Sequence, residues 1–105
     1  MNKAYTFYHD GRHGWLVVPF EDLCELGIEG EISCYSSMNR FMAYLEEDSD
    51  AEHFIEAYAK KYGVEPTERS RYIDSDSNPI MNYSSYSDMD LKEKEAARKH
   101  WRKDR

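Results

Sequence analysis

The sequence predicts an α+β fold in which a small antiparallel sheet of two β-hairpins packs against two helices, with a polar helix appended at the C-terminus. Two pairs of short apolar runs, each pair joined by turn-forming residues, indicate the hairpins. Two segments with apolar residues at helical spacing indicate the helices. A chain of 105 residues forms one domain. We expect its core over residues 1–72, a Tyr- and Ser-rich loop over 73–87 and a charged helix over 88–105.

The first hairpin is predicted from residues 5–9 (YTFYH) and 15–18 (WLVV). Both runs are rich in the aromatic and β-branched residues that favour strands. The intervening residues 10–14 (DGRHG) contain two glycines, which adopt positive φ without steric cost.

The first helix is predicted to start at Pro19, because proline is tolerated in a first helical turn. Phe20, Leu23 and Cys24 have i, i+3, i+4 spacing and therefore share one face. Gly27 is expected to cap the C-terminus.

The second hairpin is predicted from residues 31–36 (EISCYS) and 41–46 (FMAYLE), with the turn at Asn39 and Arg40. Alternation in the second of these strands would direct Phe41, Ala43 and Leu45 to one face.

The second helix is predicted over residues 50–62. Ser49 and Glu52 match the S-x-x-E capping box, and Gly63 can cap the other end. One apolar stripe runs along it, formed by Ala51, Phe54, Ile55, Tyr58 and Tyr62.

The remaining chain is predicted to contain an edge strand within residues 64–72, a loop over 73–87 and a helix over 88–103 with Ser87 at its N-cap. Pro66 argues against a central strand. Ile80, Met81 and Tyr83 are candidates to anchor the loop. The predicted core comprises Phe7, Leu16, Val18, Leu23, Leu26, Ile32, Ala43, Leu45, Phe54, Ile55 and Tyr58.

The charge of the chain is strongly asymmetric. The net charge is −7, and residues 20–58 alone carry eleven acidic residues and one basic residue, a net of −10. Residues 88–105 carry seven basic and five acidic residues, a net of +2. The total disfavours non-specific binding to a nucleic-acid duplex. The sequence also lacks an apolar run of membrane-spanning length or of signal-peptide type, so we expect a cytoplasmic protein.

The two cysteines, Cys24 and Cys34, do not form a C-x-x-C pair. We expect both to be reduced and to act as small buried apolar residues.

Residues 8–19 (YHDGRHGWLVVP) resemble the opening of a family of small proteins predicted on phages, plasmids and integrated elements. Family members share an H-D-x-x-H-G-W run followed by Leu-Gly-Ile, Ile-Ser-x-Tyr-Ser and Tyr-Leu-Glu-Glu-Asp segments. Here these match residues 26–28, 32–36 and 44–48, and the resemblance covers residues 5–62. Gly11 stands where the family usually has a proline, and Ser49 where it has a cysteine. The resemblance implies an intracellular, mobile-element context rather than a particular reaction.

His9, Asp10 and His13 are the candidate metal ligands, because two imidazoles and a carboxylate on one turn can bind Zn²⁺. The alternative is an ordinary turn in which Asp10 accepts hydrogen bonds from the backbone two residues on. No catalytic motif is present: neither G-x-S-x-G nor a phosphate-binding glycine loop occurs.

Three further groups are candidates for partner binding. The acidic run contains Glu46, Glu47, Asp48 and Asp50, which can also bind Ca²⁺ or cap a helix. Exposed tyrosines supply large contact area at low entropic cost, and the Tyr/Ser-rich loop offers Tyr72, Tyr83 and Tyr86. The basic C-terminal run offers Trp101 and Arg102, which can contact a partner or nucleic-acid phosphates.

These features favour a non-enzymatic protein-binding factor. We expect an inhibitor or modulator of host or anti-phage defence machinery, comparable in action to anti-CRISPR proteins, that works by occupying a surface. One alternative is a small metal-dependent enzyme that uses His9, Asp10 and His13. A second is a nucleic-acid-binding accessory protein that acts through residues 88–105.

Overall fold

The computed structural model describes residues 3–86, and the predicted helix over 88–103 lies outside this range. The strands are β1 (Ala4–His9), β2 (Gly14–Pro19), β3 (Ser37–Asn39), β4 (Met42–Glu46), β5 (Thr67–Tyr72) and β6 (Ser84–Ser85). The helices are α1 (Phe20–Leu26) and α2 (Glu52–Tyr62). A π-helical turn (Glu47–Ala51) precedes α2, and short 3₁₀ turns (Ser75–Ser77 and Pro79–Asn82) precede β6. The α+β prediction is confirmed.

The strands form one six-stranded sheet in the order β5-β1-β2-β4-β3-β6. All neighbouring pairs are antiparallel except β1 and β5, which are parallel. The predicted first hairpin is β1–β2. A second hairpin, β3–β4, forms around the predicted turn at Asn39 and Arg40, but its first strand is not the predicted one. The predicted edge strand is β5, and Pro66 lies just before its first residue, where a missing N–H does not interrupt the ladder.

The helices pack on one face of the sheet over a continuous apolar core. Leu16, Val18, Ala43 and Leu45 are fully buried there, and Phe54 of α2 is fully buried above them. Most of the predicted core is buried, while Phe7, Leu26 and Ile55 are half-buried at its margin. Several buried residues lie outside the predicted core, among them Tyr5, Trp15, Phe20, Ile28, Met38 and Tyr86.

Glycines end both helices as predicted. Gly27 has φ 72° and Gly63 has φ 78°, the left-handed conformation of a C-terminal cap. The Gly63 N–H donates to the carbonyl of Ala59 at 2.8 Å. The turn between β3 and β4 is also where it was predicted, with Arg40 at φ 58°.

The predicted strand over residues 31–36 is wrong. These residues form a turn-rich loop, and the strand begins one residue later at Ser37. The Ser33 N–H and the hydroxyls of Ser33 and Ser36 donate to the buried carboxylate of Asp50, and the Ser36 N–H donates to the Ser33 carbonyl. These hydrogen bonds hold the segment as a loop, and the backbone N–H groups of Ser33 and Ser36 are used within it. Phe41 is also outside β4 and is 49% exposed, so it does not share a buried face with Ala43 and Leu45.

The predicted capping box at the start of α2 is wrong as well. Ser49 Oγ donates to Glu46 Oε2 at 2.8 Å, and no side chain caps α2. The chain enters the helix through the wide π-helical turn, which directs Asp50 into the core and Ser49 outward.

Neither cysteine forms a disulfide bond. The expectation that both are buried is wrong: Cys24 is half-buried, and Cys34 is exposed in the loop held by Asp50. None of the helices within residues 3–86 is long and apolar enough to cross a membrane.

Candidate functional site: an acidic groove beside the edge strand

A groove of about 420 Å³ lies between the start of α2 and the edge strand β5. We call it the acidic groove. It is lined by Phe7, Glu47, Asp48, Ala51, Glu52, Ile55, Glu68 and Ser70. Its rim carries four carboxylates and no basic side chain, and its floor is apolar.

Three separate elements supply the carboxylates. The π-helical turn after β4 carries Glu47 and Asp48, the first turn of α2 carries Glu52, and β5 carries Glu68. None of the four is in an ion pair with another residue of the range 3–86. Their mutual repulsion is therefore unrelieved by a cation from this part of the chain.

Gly14 makes room for one wall of the groove. A Cβ atom at this position would lie 2.4 Å from Phe7 Cζ and 2.6 Å from Glu47 Oε2. Real Cβ atoms do not approach so closely, so only glycine allows the Phe7 ring and the Glu47 carboxylate to pack over the start of β2. This explains the glycine of the H-G-W run in structural terms.

The floor of the groove continues into two aromatic rings. His9 stacks on Phe7 with centroids 6.3 Å apart, and Tyr72 contacts His9 edge-on at 5.6 Å. Tyr72 is 68% exposed. Strand alternation places Phe7 and His9 of β1 and Tyr72 of β5 on the same face of the sheet as α2.

The residues of the predicted acidic run lie in different parts of the structure. Glu47 and Asp48 are exposed in the groove, whereas Glu46 pairs with Trp15 in the sheet register and lies on the opposite face. Asp50 is 5% exposed, so its burial gives no support to the prediction that it binds a partner. It accepts hydrogen bonds from the Ser33 N–H and from the hydroxyls of Ser33 and Ser36, so its role is to hold the loop before β3.

The three predicted partner-binding tyrosines also differ in their exposure. Tyr83 is half-buried against Tyr44, with ring centroids 4.9 Å apart, on the face without helices. Burial, and to a smaller extent the contact with Tyr83, raises the pKa of Tyr44 to about 12. Tyr86 is buried: its ring is 2% exposed against Phe20 and its hydroxyl donates to the carbonyl of Glu29, so the structure gives no support to the prediction that it binds a partner.

The turn that carries the candidate metal ligands is an Asx turn. Asp10 Oδ1 accepts from the N–H groups of Arg12 at 2.9 Å and His13 at 2.7 Å. Asp10 Oδ2 accepts from Asn78 Nδ2 at 3.1 Å. The backbone hydrogen bonds from His13 and Arg12, in that order, lower the pKa of Asp10 to about 2.

The two histidines of this turn diverge. His9 stacks on Phe7 on the helix face, whereas His13 stacks on Trp15, which lies on the opposite face. Within residues 3–86 no three His, Cys, Asp or Glu side chains are arranged to hold one metal ion. Zn²⁺ binding by His9, Asp10 and His13 stays a prediction that elemental analysis of purified protein tests, and the divergence of the rings gives it no support.

Two groove residues, Glu52 and Glu68, are not among the sequence-predicted site residues. The sequence indicates a helix-capping role for Glu52, and Glu68 is distant in sequence from the acidic run. The alternation of charge in β5 (TERSRY) was the available signal for Glu68. Trp101 and Arg102 lie outside the described residues, and nucleic-acid binding through 88–105 stays a prediction.

Comparisons with protein-family models, with curated proteins and with solved structures found no match to this chain.

Proposed function

We propose that this chain is a non-enzymatic protein-binding factor that occupies a basic surface of its partner through the acidic groove. The observation that carries the proposal is the grouping of Glu47, Asp48, Glu52 and Glu68 around an apolar floor, with no ion pair to any of them from within residues 3–86. A partner that supplies lysine or arginine relieves the repulsion among the four carboxylates, while the floor contributes apolar contact area.

The charge of the groove favours rapid association with basic partners. Clustered charges of one sign steer an oppositely charged protein toward the cluster, and salt screens this attraction over about 10 Å at 0.1 M ionic strength. Basic surfaces that hold phosphate groups offer the complementary chemistry. The proposal therefore includes a partner whose phosphate-binding surface is blocked when the groove covers it.

The setting comes from the resemblance of residues 5–62 to proteins of phages and other mobile elements. In that setting we infer that the partner is a bacterial host or defence protein, and that the chain inhibits or modulates it. The exposed Tyr72 at the end of the groove supports a protein partner, because tyrosine supplies rigid contact area at interfaces.

Affinity capture from a bacterial lysate with matched variants tests the proposal. The groove variant carries Glu52→Gln and Glu68→Gln, and the control variant carries Glu56→Gln and Glu65→Gln, which removes the same charge from exposed positions outside the groove. Wild type and control should retain the same protein at low salt and lose it as salt rises, while the groove variant should not retain it. Equal capture by both variants, or no protein retained by wild type, would overturn the proposal.

A further inference from the structure

Among the described residues, β5 is the outermost strand on its side of the sheet. Within residues 3–86 its one neighbour is β1, and all six residues from Thr67 to Tyr72 are exposed. The register with β1 is continuous and contains no bulge. A long, regular edge of this kind presents a row of backbone donors and acceptors to an incoming chain.

The hydrogen-bond pattern shows which backbone groups face outward. The N–H of Thr67 donates to the carbonyl of Lys3, and the N–H of Ile73 donates to that of His9, both at 2.8 Å. In a parallel ladder the groups that face the neighbour belong to alternate residues. The N–H and C=O groups of Glu68, Ser70 and Tyr72 therefore point away from β1.

The two faces of β5 carry opposite charges. Glu68 lies on the α2 face, where it joins the acidic groove. Arg69 and Arg71 lie on the opposite face, in register with Thr6 and Tyr8, and neither is in an ion pair with a carboxylate of residues 3–86. A strand added at this edge would meet acidic side chains on one face and basic side chains on the other.

We infer that β5 accepts an extended segment of a partner protein as a seventh strand, with lysine or arginine side chains toward the acidic groove and aspartate or glutamate side chains toward Arg69 and Arg71. This inference rests on the proposed function, since it specifies how the partner is held. Backbone hydrogen bonds to Glu68, Ser70 and Tyr72 supply affinity, and the alternating charges supply specificity. Opposite charges directly across two neighbouring strands attract each other.

The same charges argue against a second copy of this chain as the occupant. In a two-fold antiparallel pairing of β5 with β5 that keeps the helices of both copies on one side, residues of the same face oppose each other. In the registers centred on Arg69 or Ser70, Arg69 would oppose Arg69 or Arg71 of the second copy, and like charges across two strands are destabilising. The charges therefore disfavour self-pairing and favour a segment of alternating charge.

A fluorescent peptide of about eight residues that alternates lysine and glutamate is the direct probe, and its binding is measured by fluorescence anisotropy at low salt. A peptide of the same composition with the charges in blocks of two (KKEE) is the control, because it places both signs on each face. The alternating peptide should bind at least about tenfold more tightly than the block peptide. Equal binding of the two peptides, or no binding of either, would overturn the inference.

Ser70→Pro blocks the edge without touching the ladder to β1, because the N–H it removes points outward. Ser70→Ala is the matched control, and thermal melting verifies that both variants fold. Ser70→Pro should lower the affinity for the alternating peptide by about tenfold or more, and Ser70→Ala should leave that affinity unchanged. Sedimentation tests whether a second copy of this chain occupies the edge instead. If wild type is a dimer and Ser70→Pro is a monomer, the occupant is a second copy and the inference of a partner protein is wrong.

The lysate experiment separates this inference from the proposed function. If the groove variant loses the captured partner and Ser70→Pro keeps it, strand addition is wrong and the proposed function stands. If both variants keep the partner, the proposed function is wrong as well. Loss of the partner from both variants, with retention by Ser70→Ala, supports both.

Discussion

The side-chain amide of Asn78 donates to the carboxylate of Asp10 at 3.1 Å across 68 residues of chain. This hydrogen bond ties the segment after β5 to the turn of the first hairpin. The side-chain oxygen of Asn78, Oδ1, accepts a hydrogen bond from the N–H of Ile80, and Ile80 is 2% exposed. One asparagine thus connects the Asx turn to the segment that leads to β6.

Acid unfolding should report on Asp10. Its pKa in the folded protein is about 2, below the value of about 3.9 for an unfolded chain. Ionised Asp10 therefore stabilises the fold fully above about pH 4, and this contribution is lost as the pH falls through about 2. The melting temperature of wild type should drop more steeply over this interval than that of Asp10→Asn. If the melting temperatures of the two proteins fall equally as the pH is lowered, ionised Asp10 does not stabilise the fold.

Removal of the Asp50 carboxylate should destabilise the fold. Asp50→Ala leaves the Ser33 N–H and the buried Ser36 hydroxyl without their acceptor. We expect a loss of about 1–3 kcal/mol in the free energy of unfolding, measured by urea denaturation. Asp48→Ala is the matched control, because its exposed carboxylate should contribute within about 0.5 kcal/mol. Similar values for the two variants would show that the Asp50 network is not structural.

Gly14→Ala should destabilise the protein by about 1–3 kcal/mol, the usual cost of overpacking. The added methyl group would meet the Phe7 ring and the Glu47 carboxylate. Gly30→Ala is the control, because a Cβ there meets nothing within 4 Å and the backbone φ is not positive. Chemical denaturation of both variants gives the comparison, and a neutral Gly14→Ala would show that the groove wall relaxes freely.

Tyr86→Ala and Tyr72→Ala should differ sharply. Tyr86 is buried against Phe20, and truncation of a buried aromatic ring costs about 3–5 kcal/mol. Tyr72 is 68% exposed, so its truncation should change stability by less than about 0.5 kcal/mol. Thermal and urea unfolding measure both. If Tyr86→Ala is as stable as wild type, the Tyr86 ring does not contribute to the core.

Local sequence determined the elements whose signals lie within a few residues of one another. Glycine supplies the left-handed caps at Gly27 and Gly63 with no help from tertiary contacts. The alternation in β1 and β2 and the apolar stripe of α2 likewise predicted the two hairpin strands and the longer helix. These patterns are local because hydrophobic period and backbone conformation are set by neighbouring residues.

The candidate site could be predicted only in part. Glu47, Asp48 and Tyr72 were identified from composition, and all three lie at the groove or at its end. Asp50 and Tyr86 have the same residue types but are buried, because Ser33 and Ser36 hold one and Phe20 covers the other. Side-chain type indicates what a residue can bind, and burial decides whether it is available.

The sequence by itself determined the fold class, the first hairpin, both helices and a middle segment with strong negative charge. Only the tertiary structure decided that β5 runs parallel to β1, which places Glu68 in the same groove as Glu52. It also decided that His9 and His13 lie on opposite faces of the sheet. The physical reason is that strand pairing and burial depend on contacts between residues far apart in the chain, which local periodicity does not encode.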